Sequence, residues 1–447
     1  MTVTTNTIQA PTSDKSSNFT RYFQFALLLI AAGAIYPLLY MRQNFEQTLL
    51  MAFDITATDL ADFNSILGLI YVSTYIPSGW LADRFSAKKL IVFSVGAVGL
   101  LGFWYSTFPG YYVQVAIFIG WGLCAGLTFW AALIKSVNLL AREDEQGRFF
   151  GILDGGRGLV EAVLASIAVG IFAYYVGTGS AETQADKAVA IEGFRMAIYM
   201  YSTTCLIIAV LVSIFLSDDL QASSSRAVIQ EDIPEETNIV KRTWDDLVAI
   251  FSIPQVWVMM LIILTGYMQF WATYSVSTYL QDYYSAPATV AAFITMTKLW
   301  MRPIGGIGGG FLADWLSKKV VLGISMIIAS LTLAAFAYFP ASTGAYMLIV
   351  FVICLGISTY AIRGLYWSFL DDCRVPPRAL GLGIGVISMV GYTPDIFLPQ
   401  INNAISAAYP GNEGTQLYFM FIACSGLVGA VAAFCFKARD KAEKVTA

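Results

Sequence analysis

Twelve long apolar stretches separated by short polar turns run through the 447 residues, at about 22–50, 58–82, 89–108, 111–140, 149–176, 193–216, 255–282, 288–313, 319–339, 345–370, 379–408 and 416–437. A bilayer core of about 30 Å takes about 20 apolar residues at helical rise, so each stretch predicts one membrane-spanning α-helix. In hydrocarbon a helix satisfies its own backbone N–H and C=O groups, which no irregular segment does. The order gives a polar tail at 1–21, a six-helix bundle at 22–216, a polar linker at 217–254, a second six-helix bundle at 255–437 and a tail at 438–447. In the linker, residues 244–251 have the pattern of a short amphipathic helix lying on the membrane surface.

Twelve spans put both termini on one side. The loops and tails on that side hold 18 Lys and Arg, against Lys187 and Arg195 opposite, and the positive-inside rule makes the termini cytoplasmic. The first 20 residues lack the basic start and apolar middle of a secretory signal and read as a tail. The expected location is the cell (inner) membrane, with the lipid bilayer as partner and a monomer as the working unit.

At 57% hydrophobic and 13% charged the chain falls well below the quarter or so of charged residues in a soluble globule. Histidine is absent and the six cysteines have no metal-like spacing, so neither a metal site nor a cofactor is expected. Without histidine there is no His-containing acid–base pair, and no nucleotide motif follows a strand, so an enzyme and a nucleic-acid partner are both disfavoured. A solute sensor would carry an added cytoplasmic module, for which the linker is too short. Gly runs such as residues 305–310 and 381–385 read as close helix packing.

The chain repeats itself. Gly79-Trp80-Leu81-Ala82-Asp83-Arg84 returns as Gly310-Phe311-Leu312-Ala313-Asp314-Trp315, with the aspartates 314 − 83 = 231 residues apart. Arg148-Phe149-Phe150-Gly151 is echoed by Arg378-Ala379-Leu380-Gly381 at 378 − 148 = 230. A Gly-x-Leu-Ala-Asp phrase with a basic tail in each half resembles the signature loop of the major facilitator superfamily of secondary transporters. The resemblance implies twelve helices in two pseudo-symmetric bundles, a substrate bound between them near the midplane, and transport by alternating access. It also implies a conformational gate. Asp83, beside Arg84, would hold the N-terminal end of span eleven with its flanking Arg378, and Asp314 would hold the start of span five with Arg148.

Nine ionisable residues fall inside spans: Arg42, Lys135, Asp154, Arg157, Glu161, Lys298, Arg302, Arg363 and Asp395. Charge in hydrocarbon is costly and usually faces a cavity. Lys135 and Arg363 lie about two turns from the inner ends of spans four and ten and read as side chains that snorkel to the surface. Asp154, Arg157 and Glu161 share one face of span five at i, i+3 and i+7, and Lys298 and Arg302 share a face of span eight at i, i+4. Lys298 and Arg302 have no acidic neighbour on their own helix. They either pair across the cavity, with Asp395 or Glu161 as candidates, or await an anion.

The phrase Tyr36-Pro37-Leu38-Leu39-Tyr40-Met41-Arg42-Gln43-Asn44-Phe45 resembles span one of the organophosphate:phosphate antiporters, the glycerol-3-phosphate and hexose-phosphate transporters. That resemblance implies a substrate-binding Arg42 next to Tyr40. In that family a second arginine lies in span seven, where residues 266–275 here carry no charge; the period sets Arg42 opposite Thr273. Aromatic residues of spans one, seven and ten, Tyr36, Tyr267, Trp271, Tyr274, Tyr360, Tyr366 and Trp367 among them, are candidates to stack on an organic solute.

Six buried cations against three carboxylates favour a small organic anion, phosphorylated, carboxylated or sulfonated, bound by Arg42, Tyr40, Arg157, Lys298 and Arg302. Transport is expected by exchange, with phosphate as a coupling ion, or by proton symport through Glu161 or Asp395. The alternative is a proton-driven exporter of drugs or metabolites, which calls for a more apolar cavity.

Overall fold

Helix ends are set locally. Thr56 starts the second helix with a capping box, accepting from Asp59 N at 3.2 Å while its own N–H donates to Asp59 Oδ2 at 2.8 Å. Ser86 caps the third, accepting from Lys89 N at 3.4 Å. The computed structural model describes residues 15–142, 144–176, 184–217, 239–276, 279–280, 283–284, 288–340, 342 and 344–437. The expected tail at 1–14, residues 218–238 of the linker and the tail at 438–447 lie outside them.

Twelve crossing segments occur among the described residues, and the protein is all-α. Span one is Lys15–Ala34 continued by Tyr36–Leu39; spans two and three are Ala57–Arg84 and Ala87–Tyr105. Span four covers Tyr111–Leu140, and spans five and six are Gln146–Val176 and Gln184–Phe215. Spans seven to ten are Pro254–Ala272, Ala288–Trp315, Lys318–Tyr338 and Ala345–Leu365; span eleven is Leu380–Gly391 with Pro394–Ala408, and span twelve is Asn412–Cys435. Eleven are both long and strongly apolar. Span eight is the exception, because Lys298, Arg302, Pro303 and its glycine run dilute its apolar residues.

Several spans break at mid-depth. Span one is interrupted at Ile35 and again at Tyr40–Met41 before the helix Arg42–Phe53, span four contains a π-helical stretch at Leu123–Trp130, and span seven ends in a 3₁₀ turn at Thr273–Ser275. Span eleven is broken between Gly391 and Pro394. Such breaks gather in transporters where side chains and backbone line a cavity.

The two halves meet along two seams. On the first, span two lies against span eleven, and a Cβ on Gly79 would collide with the backbone carbonyl of Gly381, while one on Gly385 would strike that of Tyr75. On the second, span five lies against span eight, and a Cβ on Gly151 would collide with the carbonyl of Gly306. Glycine permits these backbone approaches because nothing stands between the helices. Both seams lie on the side where the chain begins and ends. The linker helix, Ile239–Phe251, crosses the first of them: Thr243 Oγ1 accepts from Trp80 Nε1 and Arg84 Nη2 of span two, each at 3.2 Å, and Asp246 accepts from Arg378 Nε at 3.2 Å beside span eleven.

Gly79→Val is expected to open the first seam. An overpacked contact costs about 1–3 kcal/mol, comparable with the gap between two carrier states. Spin labels at the exposed Lys89 and Lys319 positions, one in each half, should report a new, longer distance. Gly68→Val, on the same span with open space around it, should leave the distance unchanged; equal behaviour of the two variants would refute the role of the seam.

Candidate functional site

Span five presents Asp154, Arg157 and Glu161 toward span eight. The approach is close because small residues face it: a Cβ on Gly155 would lie 2.8 Å from the Ile307 side chain, and one on Gly158 would press on the stem of Arg302. Arg302 reaches across the seam. Its Nη1 donates to Glu161 Oε2 at 2.7 Å and its Nη2 lies 3.5 Å from Asp154 Oδ1. Arg157 Nε lies 3.9 Å from Asp154 and 3.7 Å from Glu161. Arg363 of span ten brings its Nε to 3.8 Å from the same Asp154 oxygen. Three guanidiniums from three spans thus share two carboxylates.

Each cation also sits near a ring: Arg157 at 5.2 Å from the centroid of Tyr36, Arg302 at 5.8 Å from Tyr360, and Arg363 at 4.1 Å from Phe270. The ring quadrupole attracts a cation that has little water left around it.

One turn along span eight, Lys298 Nζ donates to Thr273 Oγ1 at 3.0 Å and lies 5.6 Å from the Tyr274 ring. It is 7% exposed, and among the described residues it has no carboxylate partner. Asp395 does not pair with it; its Oδ1 accepts from Trp271 Nε1 at 2.6 Å. Nearby, Tyr392 at the break of span eleven accepts from Trp367 Nε1 at 3.0 Å, lies 3.2 Å from the Tyr366 hydroxyl, and has its ring 4.9 Å from that of Tyr267. The result is a buried cluster of cations and phenols, groups whose chemistry suits oxyanions and the faces of an organic body.

Arg42 is not brought to this group. It is exposed and lines a small pocket built wholly from the first half, with Leu38, Leu60, Asn64 and Phe118 among its walls. The break at Tyr40–Met41 starts a new helix at Arg42, so the residue does not continue the face of span one. Tyr40 stays near Tyr36, their ring centroids 6.4 Å apart.

Lys135 and Arg363 do not snorkel. Lys135, 4% exposed, is paired with Asp83 Oδ1 at 2.7 Å and bonds the Ala82 carbonyl at 3.1 Å. Arg363 is held inward because the segment after its helix, Tyr366–Phe369, is itself buried, which leaves the membrane surface farther away than a residue count implies. Span ten therefore contributes a charged site residue that helical spacing alone does not reveal. The sequence signal for it is its place among the ionisable residues inside spans, three residues after Tyr360 on a span that already carries candidate rings.

On the side of the termini, Asp83 accepts from Gly381 N and Leu382 N, both at 2.8 Å, at the start of span eleven. Its cation is Lys135 and not Arg378, which belongs to Asp246 of the linker helix. Arg84 lies over the Trp80 ring at 4.2 Å. Asp314 accepts from both the backbone N and the Nε of Arg148 at 3.0 Å. Glu145, in the turn before span five, meets Arg21 at 2.5 Å and Arg148 at 3.7 Å. Burial alone would raise its carboxyl, but the Arg21 hydrogen bond and charge, with Arg148, outweigh that and hold it below the usual carboxylate range.

Two helical halves joined by glycine seams, with a charged and aromatic lining between them at mid-depth, define a multi-pass membrane carrier working by alternating access. Residues 17–399 match the Major Facilitator Superfamily, and the chain belongs to that family: it is a secondary transporter and not an enzyme. Among curated relatives it is 26% identical over 422 residues to the inner membrane protein YqcE of Escherichia coli K12, covering 92% of this chain and 94% of that one. It is 24% identical over 411 residues to the inner membrane protein YihN of the same strain, covering 91% and 93%. Among solved structures it superposes on the transporter FucP in the outward conformation with a TM-score of 0.71 at 14% identity, covering 93% of this chain and 99% of that one.

Asp83→Asn removes a charge that two N–H donors and Lys135 share. A carboxylate at a helix N-terminus contributes about 0.3–2 kcal/mol, so the variant should shift the population toward the state open on the side of the termini by roughly twofold to thirtyfold. The check is thiol labelling of a cysteine placed near Arg378, which should speed up from that side. Unaltered labelling in a stable Asp83→Asn protein would mean that Asp83 only caps its own neighbourhood.

Proposed function

We propose that this carrier moves a small organic anion, phosphorylated, carboxylated or sulfonated, across the cell's inner membrane, with both termini cytoplasmic. One observation supports the reading: among the described residues Lys298 is buried with a hydroxyl and a ring as its neighbours and no carboxylate partner, a cation whose counter-charge the solute would supply. A buried ammonium without an anion is expensive, and an arriving oxyanion offsets that cost. Arg302 stands one turn along the same helix, with Arg157 beside the Glu161 carboxylate that Arg302 binds, and the phenols of Tyr267, Tyr274 and Tyr392 suit a hydroxylated organic body. The names of the two relatives support the inner-membrane placement, and the 18-to-2 bias of basic loop residues supports the orientation.

Coupling follows from the same geometry. An anion that engages Arg302 competes with Glu161 for the same donors, and a released Glu161, already 26% exposed at its side chain, is placed to take up a proton. Proton symport is therefore preferred over exchange, with Asp395 as the second candidate carrier and phosphate as the exchange ion in the rival mechanism. An apolar drug leaves Lys298 and the guanidiniums without a role, which disfavours the exporter reading.

Uptake into proteoliposomes tests this, using phosphorylated, carboxylated and sulfonated solutes with and without a proton gradient. Lys298→Gln should weaken anion binding by about 1.5–3 kcal/mol, the worth of a charge-assisted hydrogen bond; unchanged affinity in a correctly inserted variant removes Lys298 from the site. Glu161→Gln should abolish gradient-driven accumulation while counterflow of labelled solute continues. Accumulation with a normal pH profile in that variant would leave exchange as the mechanism.

A further inference from the structure

Asp154 occupies an unusual place in the charged group. Its Oδ1 is the common neighbour of Arg302 at 3.5 Å, Arg363 at 3.8 Å and Arg157 at 3.9 Å, residues of three spans in both halves. It is 6% exposed. Its Oδ2 and the Nε atoms of all three arginines are buried with no hydrogen-bond partner among the described residues. A carboxylate placed to fix one arginine takes it in two parallel bonds at about 2.7–2.9 Å. Asp154 does that with none of them. Glu161 is different: its side chain is 26% exposed and has a short bond to Arg302.

We infer that Asp154 is an internal counter-anion that sets the affinity of the site, a positioning residue that never meets the solute. The inference rests on the organic-anion reading. Without Asp154 the guanidiniums would stand three to one against Glu161, and an anion drawn to that potential would bind tightly and leave slowly. With it the group is one positive charge from neutral, enough to attract an anion and low enough to release it. The shared, imperfect contacts matter to this role, since they leave donors of every arginine free to turn toward a solute.

The test uses the full chain in lipid nanodiscs, with inorganic phosphate, methanesulfonate and gluconate as calorimetric probes, and counterflow in proteoliposomes. Asp154→Asn should bind whichever probe the native chain binds roughly tenfold to a hundredfold more tightly, as expected for one unit charge about 6–12 Å from the anion at an effective dielectric constant of about 20, and its exchange rate should fall. Arg363→Gln should shift affinity the opposite way, and the double variant Asp154→Asn with Arg363→Gln should pull the gain back. Asp154→Glu, which keeps the charge, should not show the gain. Equal or weaker binding by folded Asp154→Asn overturns the inference. If that protein does not fold, a double variant that folds and binds supports charge balance, and one that also fails assigns Asp154 a structural role and overturns it. Probe binding by neither the native chain nor Asp154→Asn overturns the anion reading itself, and the inference with it.

Discussion

Three guanidiniums and two carboxylates share one buried place between spans five, eight and ten, and low-dielectric surroundings make each of them depend on the others. A charge in such a medium costs several kcal/mol unless paired, so the helices that carry these residues are tied to a common depth and rotation. Arg302 belongs to the second half and both its carboxylates to the first. The group is therefore also a bond between halves that a working carrier has to rearrange. Glycines 155 and 158 let span eight come near enough for that bond to form.

The closures on the side of the termini use different physics. There a carboxylate from one half meets backbone N–H groups at a helix start in the other, where the helix dipole favours negative charge. The two are related by the repeat but differ in detail. Asp314 takes its cation from the helix it caps, Arg148, whereas Asp83 takes Lys135 from span four of its own half. Arg378 engages Asp246, and this draws the linker helix over the seam. Opening the first seam thus requires two groups of contacts to yield, the cap on Gly381 and the bridge through Thr243 and Asp246.

Much of this architecture is written in local pattern. Apolar run length predicts twelve spans because lipid imposes a length, and spans appear at those positions, including span eight despite its charges. The i, i+3, i+7 spacing of Asp154, Arg157 and Glu161 sets them on one face, and the structure has that face meet Arg302. Pairing between helices is another matter. Nothing in span four or span two singles out Lys135 as the partner of Asp83, and counting residues from a helix end misjudges the depth of Arg363 because a buried 3₁₀ turn follows it. Arg42 is set apart from the charged group for a related reason. A break in the helix redirects everything after it, and the period of 231 sets the break at Tyr40–Met41 opposite Trp271–Ala272, where the span-seven helix ends.

That coincidence of breaks has a consequence for the cycle. Thr273, one repeat from Arg42, ends the span-seven helix and accepts from Lys298, so the buried ammonium of span eight is anchored at a point where span seven is already discontinuous. A discontinuous helix bends at low cost because its backbone groups at the break have already found partners outside the regular ladder. On the proposed anion reading, a solute that drew Lys298 off Thr273 would release span seven at its break at the same moment as it competed with Glu161 for Arg302. Solute binding and the loosening of both halves then share one set of atoms, and a carrier built this way does not reorient freely while its cations are still held by its own residues.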